Sequence, residues 1–215
     1  MSRRRLERQI RSLVDQSSYR NARVYVQVTR GVARRQHIFP DRAKPSLIIY
    51  VEKTPRAGRA RPLRTITLED QRWKRCSLKA LVLLPNILAR QAAHQAGADE
   101  AILLGPRRVV REGSSSNVFA VHGRTLRTHP LGPEILPGVS RQVVLTLARA
   151  EGLRVVERAF RVSTLMTADE VLLSSTMLEI APVVAVDGRR VGDGRPGPIA
   201  QALAKRFQDR VLGRS

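Results

Sequence analysis

The sequence predicts a mixed α+β protein: a smaller α/β part at 1–57, a linker at 58–64 and a larger α+β domain at 65–215. Two observations predict the fold class. Short runs rich in β-branched and other apolar residues recur along the chain, as expected for strands. Four longer segments place apolar residues at helical spacing. A third observation predicts the division, because Pro55, Gly58 and Pro62 lie among basic residues, a composition typical of a linker.

In the first part, apolar positions at helical spacing predict an amphipathic helix at 3–14. β-Branched and aromatic residues predict strands at 24–29 and 46–51, with a basic loop at 30–40 between them.

In the second part, three helices alternate with seven short strands. The helices are predicted at 77–96, 140–151 and 198–212, and the strands at 100–104, 109–112, 118–121, 126–129, 154–160, 170–174 and 183–186. Gly97 and Gly152 mark the ends of the first two helices.

Composition limits the functional classes. Cys76 is the single cysteine, which excludes a disulfide within the chain and a cysteine-rich zinc site. No apolar run approaches the roughly 20 residues of a membrane span, and no secretory signal is apparent. A reducing cytoplasm fits, and we expect neither a metal nor a membrane partner.

The net charge of +21 is the main compositional anomaly. It is compatible with binding to nucleic acid or to an anionic surface. The arginines are spread along the whole chain, however, and are not interleaved with aromatic residues that stack on bases. An arginine-rich solvated surface is therefore favoured, nucleic acid is not expected as a partner, and a positive field should attract carboxylates and phosphate.

Four segments contain residues suited to chemistry. Lys79, beside Arg75 and Lys74 and predicted near the start of a helix, is either a surface lysine or an amine activated by cationic neighbours. Glu112, followed by glycine and serines, belongs either to a polar turn or to a site that keeps a pyridine nitrogen protonated.

Two further segments could bind phosphate. LPGVSR at 136–141 is either an ordinary helix start capped by Ser140 or a phosphate cradle, in which Gly138 allows close approach of the backbone. SSTMLEI at 174–180 is either a turn or a second phosphate contact.

These segments together resemble the class IV, fold-type IV enzymes that use pyridoxal 5'-phosphate. The motifs are RWKRCSLK at 72–79, EGSSSN at 112–117, LPGVSR and SSTMLEI, in the family's order. The resemblance implies a barrel-like α+β domain, a Schiff base between Lys79 and the cofactor, and proton transfer by the same lysine. It further implies that Glu112 pairs with the pyridine nitrogen. The remaining implied cofactor contacts are Leu136 on the ring and Val139, Ser140 and Thr176 on the phosphate.

The segment VTRGVARRQHIFP at 28–40 is most similar to D-amino acid aminotransferases. This resemblance implies that Arg35 and His37 bind the substrate carboxylate in the partner subunit of a homodimer. It also implies D-alanine-type transamination with 2-oxoglutarate or pyruvate. The alternatives are another class IV enzyme (aminodeoxychorismate lyase or a branched-chain aminotransferase) and an inactive basic binding protein.

The family's usual N-terminal stretch is not found in this sequence. That stretch includes an arginine on the cofactor phosphate, and one such contact contributes about 1.5–3 kcal/mol. We therefore expect a truncated chain with weakened cofactor binding and impaired activity.

Overall fold

A computed structural model describes residues 2–54 and 61–213. The chain forms two compact units, Met1–Ala57 and Gly58–Ser215. Residues 58–60 of the predicted linker lie outside the described residues. Its last two positions, Leu63 and Arg64, are the first residues of a strand, and Leu63 is buried.

Unit 1 contains α1 (Arg3–Ser17), β1 (Ala22–Thr29) and β2 (Ser46–Lys53). These elements match the prediction within a few residues. The strands pair antiparallel, from Ala22 opposite Lys53 to Thr29 opposite Ser46. Ser2 accepts a hydrogen bond from the backbone N–H of Arg5 and caps the helix.

Unit 2 contains four α-helices, one short 3-10 helix (Pro106–Arg108) and nine strands among its described residues. In chain order they are β3 (Leu63–Glu69), α2 (Leu84–Gln95), β4 (Glu100–Gly105), β5 (Val109–Gly113), β6 (Asn117–His122), β7 (Thr125–Thr128), α3 (Val139–Ala150), β8 (Arg154–Glu157), α4 (Val162–Met166), β9 (Glu170–Ser175), β10 (Glu179–Val186), β11 (Arg189–Arg190) and α5 (Pro198–Val211).

The strand pairing of unit 2 closes a ring. In order around the ring, β3 pairs with β4, β4 with β5, β5 with β6, β6 with β9, β9 with β10, and β10 again with β3. Strands β7 and β8 extend from β6, and β11 lies beside β10. The predicted α+β class with a barrel-like sheet is confirmed.

The core has two layers because side chains alternate across the strands. On β6, Val118 and Ala120 belong to one buried cluster, which includes residues of β4, β9 and β10. Phe119 and Val121 belong to a second cluster, which includes apolar residues of α3 and α5. A strand that is buried on both faces reads as a continuous apolar run, as β6 does.

One predicted helix is wrong at its start. The prediction extended it over 77–96, but α2 begins at Leu84, and residues 70–83 form no regular helix or strand. Pro85 is the physical reason, because proline lacks an N–H and fits only the first turn of a helix. The structure also shows that β8 ends at Glu157 instead of residue 160, and that α4 follows it. No helix among residues 2–54 and 61–213 has the length and apolarity to cross a membrane.

Candidate active site

Glu112 lies near the end of β5 and is 4% exposed. Its Oε2 accepts hydrogen bonds from Asn117 Nδ2 and from the backbone N–H of Leu136, both at 3.0 Å. Its Oε1 accepts a hydrogen bond from Arg72 Nη1. Three donors from different segments therefore orient one buried carboxylate.

Burial raises the pKa of the Glu112 carboxyl, because the charged form loses its hydration. The charge and hydrogen bond of Arg72 act in the opposite direction and offset only part of this effect. The carboxyl therefore depends on its neighbours to remain ionised.

Asn117 joins Glu112 to the segment at 136–138. Its Nδ2 also donates to the carbonyl oxygen of Leu136 at 3.1 Å. A Cβ atom on Gly138 would lie 2.2 Å from Asn117 Oδ1. Glycine is therefore needed at this position for close packing, as the sequence suggested, although the close neighbour is a side chain of the protein.

Helix α3 begins at Val139, directly after this junction. Its N-cap residue is Gly138, and no side chain caps it, so the alternative with Ser140 as the cap is wrong. Ser140 lies in the first turn, where backbone N–H groups lack partners within the helix. The start of the helix is held by buried Arg141, whose Nη2 lies 2.9 Å from both the carbonyl oxygen of His129 and a carboxylate oxygen of Glu157.

Thr176 is exposed and lies in the turn between β9 and β10. Two residues before it, Ser174 pairs with Asn117 across β9 and β6. Paired residues of an antiparallel sheet project from the same face. The buried hydroxyl of Ser174 has no hydrogen-bond partner among the described residues. An unsatisfied donor therefore lies on the face to which Asn117 belongs.

Lys79 is exposed and lies in the irregular segment before α2, so its predicted place near a helix start is wrong. Hydrogen bonds hold this segment on both sides of the lysine. The backbone N–H of Cys76 donates to the carbonyl oxygen of Pro133 at 2.7 Å, and Asn86 Nδ2 donates to that of Ser114 at 2.7 Å. These contacts connect the segment to the loops that precede Leu136 and follow Glu112.

Arg35 and His37 lie in unit 1, in the exposed loop between β1 and β2. Within this loop the guanidinium of Arg30 lies over the ring of Phe39, 3.4 Å from its centroid. A cation–π contact of this kind reduces the freedom of the loop. Because Arg35 and His37 are exposed, both predicted substrate residues are accessible to a small molecule in solution.

Several residues that shape the site were not identified from the sequence. Asn117 was quoted only as part of a motif, and Arg72, Asp70 and Glu100 were assigned no role. Glu100 is fully buried and accepts hydrogen bonds from the hydroxyls of three consecutive serines, Ser114, Ser115 and Ser116. The signal for Glu100 in the sequence is an acidic residue at the start of an apolar strand. A carboxylate that is buried with such a strand needs hydrogen-bond donors or cations as partners.

The residues fit a phosphorylated pyridine. Glu112 offers a carboxylate to a protonated ring nitrogen, and the first turn of α3 offers N–H groups to an anion. The unsatisfied hydroxyl of Ser174 leaves a donor near the same junction. No group of three or more His, Cys, Asp or Glu side chains suited to a metal occurs in the described part of the chain.

The family model for class IV amino-transferases matches residues 1–186. The D-alanine aminotransferase of Staphylococcus haemolyticus is 38% identical over 209 residues, which cover 96% of this chain and 74% of that protein. The D-alanine aminotransferase of Bacillus licheniformis is 38% identical over 210 residues, with the same coverage.

Solved structures agree with the family match. The branched-chain amino acid aminotransferase of Thermobaculum terrenum in its PLP form has a TM-score of 0.85 and 28% identity, over 95% of this chain and 69% of that chain. The branched-chain aminotransferase of Thermoproteus uzoniensis with norvaline has a TM-score of 0.86 and 27% identity, over 100% and 73%. These matches confirm the fold type, the enzyme class and the pyridoxal 5'-phosphate cofactor, and the chain belongs to the class IV aminotransferases.

Proposed function

We propose that this chain transaminates D-amino acids such as D-alanine, with 2-oxoglutarate or pyruvate as acceptor, in the cytoplasm. The observation that carries the proposal is the buried Glu112 carboxylate, held by three donors beside the start of α3. The D-alanine aminotransferases that are 38% identical over nearly the whole chain support the D-amino acid type. We further propose that 1–57 and 65–215 act as two domains.

We assign the cofactor contacts to unit 2. Pyridoxal 5'-phosphate, when bound, supplies an electron-withdrawing ring and an aldehyde that accepts the substrate's amino group. Lys79 Nζ would attach the cofactor covalently and move the proton at the substrate Cα atom. The exposed amine on an irregular segment is free to reorient for both tasks.

Glu112 would accept a hydrogen bond from the protonated ring nitrogen, which a buried and oriented carboxylate does well. Leu136, whose backbone is fixed by Glu112 and Asn117, would pack on the ring. The N–H groups of Val139 and Ser140 and the hydroxyl of Thr176 would bind the phosphate.

Arg35 and His37 would bind the substrate carboxylate, because a guanidinium forms two parallel hydrogen bonds with a carboxylate. We propose that they serve the partner subunit of a homodimer. Unit 2 displays an apolar surface suited to association, with exposed side chains at Leu81, Leu84 and Ile87. Replacing Ile87 with Glu should give monomers, as measured by light scattering. The control Val211→Glu replaces a similarly exposed valine on α5 and should leave the dimer intact.

The decisive experiment for the proposed function is reduction of the purified chain with borohydride after addition of pyridoxal 5'-phosphate. Mass spectrometry should find the cofactor on Lys79. A Lys79→Ala variant should lose the label. The control is Lys74→Ala, which removes an exposed lysine five positions earlier and should keep the label on Lys79. Absence of label on the folded wild-type chain would refute the proposal.

A second candidate is transamination of branched-chain L-amino acids, which the similarity to solved branched-chain aminotransferases favours. Substrate chirality separates the two. The assay measures formation of the 2-oxo acid product from each amino acid. Consumption of D-alanine but not of L-valine supports the D-amino acid assignment, and the reverse pattern supports the branched-chain assignment.

A further inference from the structure

Arg72 lies between two carboxylates in the interior of unit 2, and its side chain is 6% exposed. Its Nε and Nη2 donate to the two oxygens of Asp70, each at 2.9 Å. Its Nη1 donates to Glu112, and Nη2 also donates to the carbonyl oxygen of Glu134 at 3.1 Å. Four hydrogen bonds thus fix the orientation of the guanidinium.

Asp70 is held as firmly as Arg72. Its side chain is fully buried, and it also accepts hydrogen bonds from the backbone N–H of Arg72 at 3.0 Å and from Arg111 Nη1 at 2.8 Å. Burial alone would raise the pKa of Asp70, but the hydrogen bonds from Arg72 and Arg111 outweigh burial and lower it. The result is a row of alternating charges, Arg111, Asp70, Arg72 and Glu112, which sums to zero.

We infer that Arg72 is a positioning residue, oriented by Asp70, which keeps Glu112 ionised and aligned for the ring nitrogen of pyridoxal 5'-phosphate. This inference rests on the proposed assignment of Glu112 to that nitrogen. Arg72 itself acts through Glu112, and no direct contact with the cofactor is required.

The contacts of Glu112 explain why Arg72 is needed. Its other two donors, Asn117 and the N–H of Leu136, are neutral, and almost no solvent reaches the carboxylate. A buried carboxyl without a cationic partner takes up a proton. A neutral carboxyl can still hydrogen-bond a ring nitrogen, but the bond is neutral and weaker than a charge-assisted one.

The test measures the preference of the protein for a ring nitrogen. The dissociation constants of pyridoxal 5'-phosphate and of its analogue with CH in place of the ring nitrogen are measured for the full chain. Wild type should bind the natural cofactor more tightly. Arg72→Met should reduce this preference about tenfold, the difference between a charge-assisted and a neutral hydrogen bond.

Three further variants separate positioning from general stability. Arg72→Lys retains the charge and should retain most of the preference. Arg72→Gln retains hydrogen-bond donors but no charge, and it should lose the preference for the ring nitrogen as Arg72→Met does. It replaces the methionine variant in the test if that variant does not fold. Arg149→Met, at an exposed arginine of α3, should behave as wild type.

The outcomes are distinct. If the uncharged variants bind both molecules more weakly by the same factor, Arg72 is merely structural and the inference is overturned. If wild type shows no preference although Lys79 is labelled after borohydride reduction, the assignment of Glu112 fails and the inference fails with it. If Lys79 is not labelled in folded wild type, the proposed function itself is refuted.

Discussion

Replacing Gly138 with Ala tests how closely the site is packed. The backbone angles of Gly138, φ −63° and ψ 135°, suit any residue, so the cost must come from contacts. A Cβ atom would lie 2.2 Å from Asn117 Oδ1 and force this side chain away. Asn117 would then lose its hydrogen bond to the charged Glu112, about 1.5–3 kcal/mol, and its bond to the carbonyl of Leu136, about 1 kcal/mol. Alanine also restricts the unfolded chain, which stabilises the protein by about 0.4–1 kcal/mol. The expected net loss of stability is therefore about 1.5–3.5 kcal/mol.

Equilibrium unfolding of the cofactor-free chain in urea measures this loss as a lower midpoint at constant slope. The control is a double-mutant cycle with Asn117→Ala. Once the asparagine side chain is removed, Gly138→Ala should cost nothing or stabilise slightly. An unchanged or raised midpoint for Gly138→Ala alone would refute the reasoning, as would equal losses with and without Asn117.

Three other substitutions test stability, and a control variant accompanies the second of them. Glu170 accepts hydrogen bonds from two first-turn N–H groups of α5, so Glu170→Gln should cost about 1–2 kcal/mol in urea unfolding, and an unchanged midpoint would contradict this capping role. Arg141→Met should lower the free energy of unfolding by about 2 kcal/mol. This is less than the loss of about 3–5 kcal/mol for a fully buried ion pair, because the Glu157 side chain is 34% exposed. The control Arg149→Met removes an exposed arginine from the same carboxylate and should cost less than about 1 kcal/mol. Since the pKa of Asp70 is lowered on folding, ionised Asp70 stabilises the folded state above the ordinary carboxyl pKa of about 4, and this stabilisation is lost as the pH falls. In Asp70→Asn the melting temperature should therefore decrease less steeply below about pH 4 than in wild type. A decrease as steep as in wild type would contradict this.

Most elements of unit 2 could be predicted because their patterns are local. The strand β6 is an apolar run, and α3 and α5 show helical spacing that agrees with their observed bounds within two residues. The strand β3 was missed because it begins within the basic segment that was assigned to the linker, and because its three apolar residues are interspersed with polar and charged ones. The helix before Leu84 was overpredicted because apolar spacing continued through residues that Pro85 excludes from the helix.

The candidate site shows a different limit. Motifs identified Glu112 and the segment after it, but Arg72 is 40 residues from Glu112 in sequence, and no local pattern joins them. Their pairing depends on parallel β3 placing Asp70 beside the end of β4, where the Asp70 N–H donates to the carbonyl oxygen of Leu104. The roles of Lys79 and the phosphate residues stay predictions, because they concern contacts with a molecule rather than with the chain.

The distribution of acidic residues makes the basic surface stronger than the net charge of +21 suggests. Of the 18 acidic residues, several are withdrawn from solvent: Glu100, Glu112 and Glu170 are buried, and the Asp70 side chain is fully buried. Their charges are used to bind serine hydroxyls, arginines and helix N–H groups inside unit 2. The buried guanidinium groups of Arg72 and Arg141 compensate only part of these negative charges. The charge that remains exposed is therefore still positive in balance, and the resulting field favours the approach of anions. Two of the molecules that the proposed reaction requires, the phosphorylated cofactor and the 2-oxo acid acceptor, are anions. Their association rates should therefore fall as salt screens the field, whereas the buried pairs that orient Glu112 are screened much less.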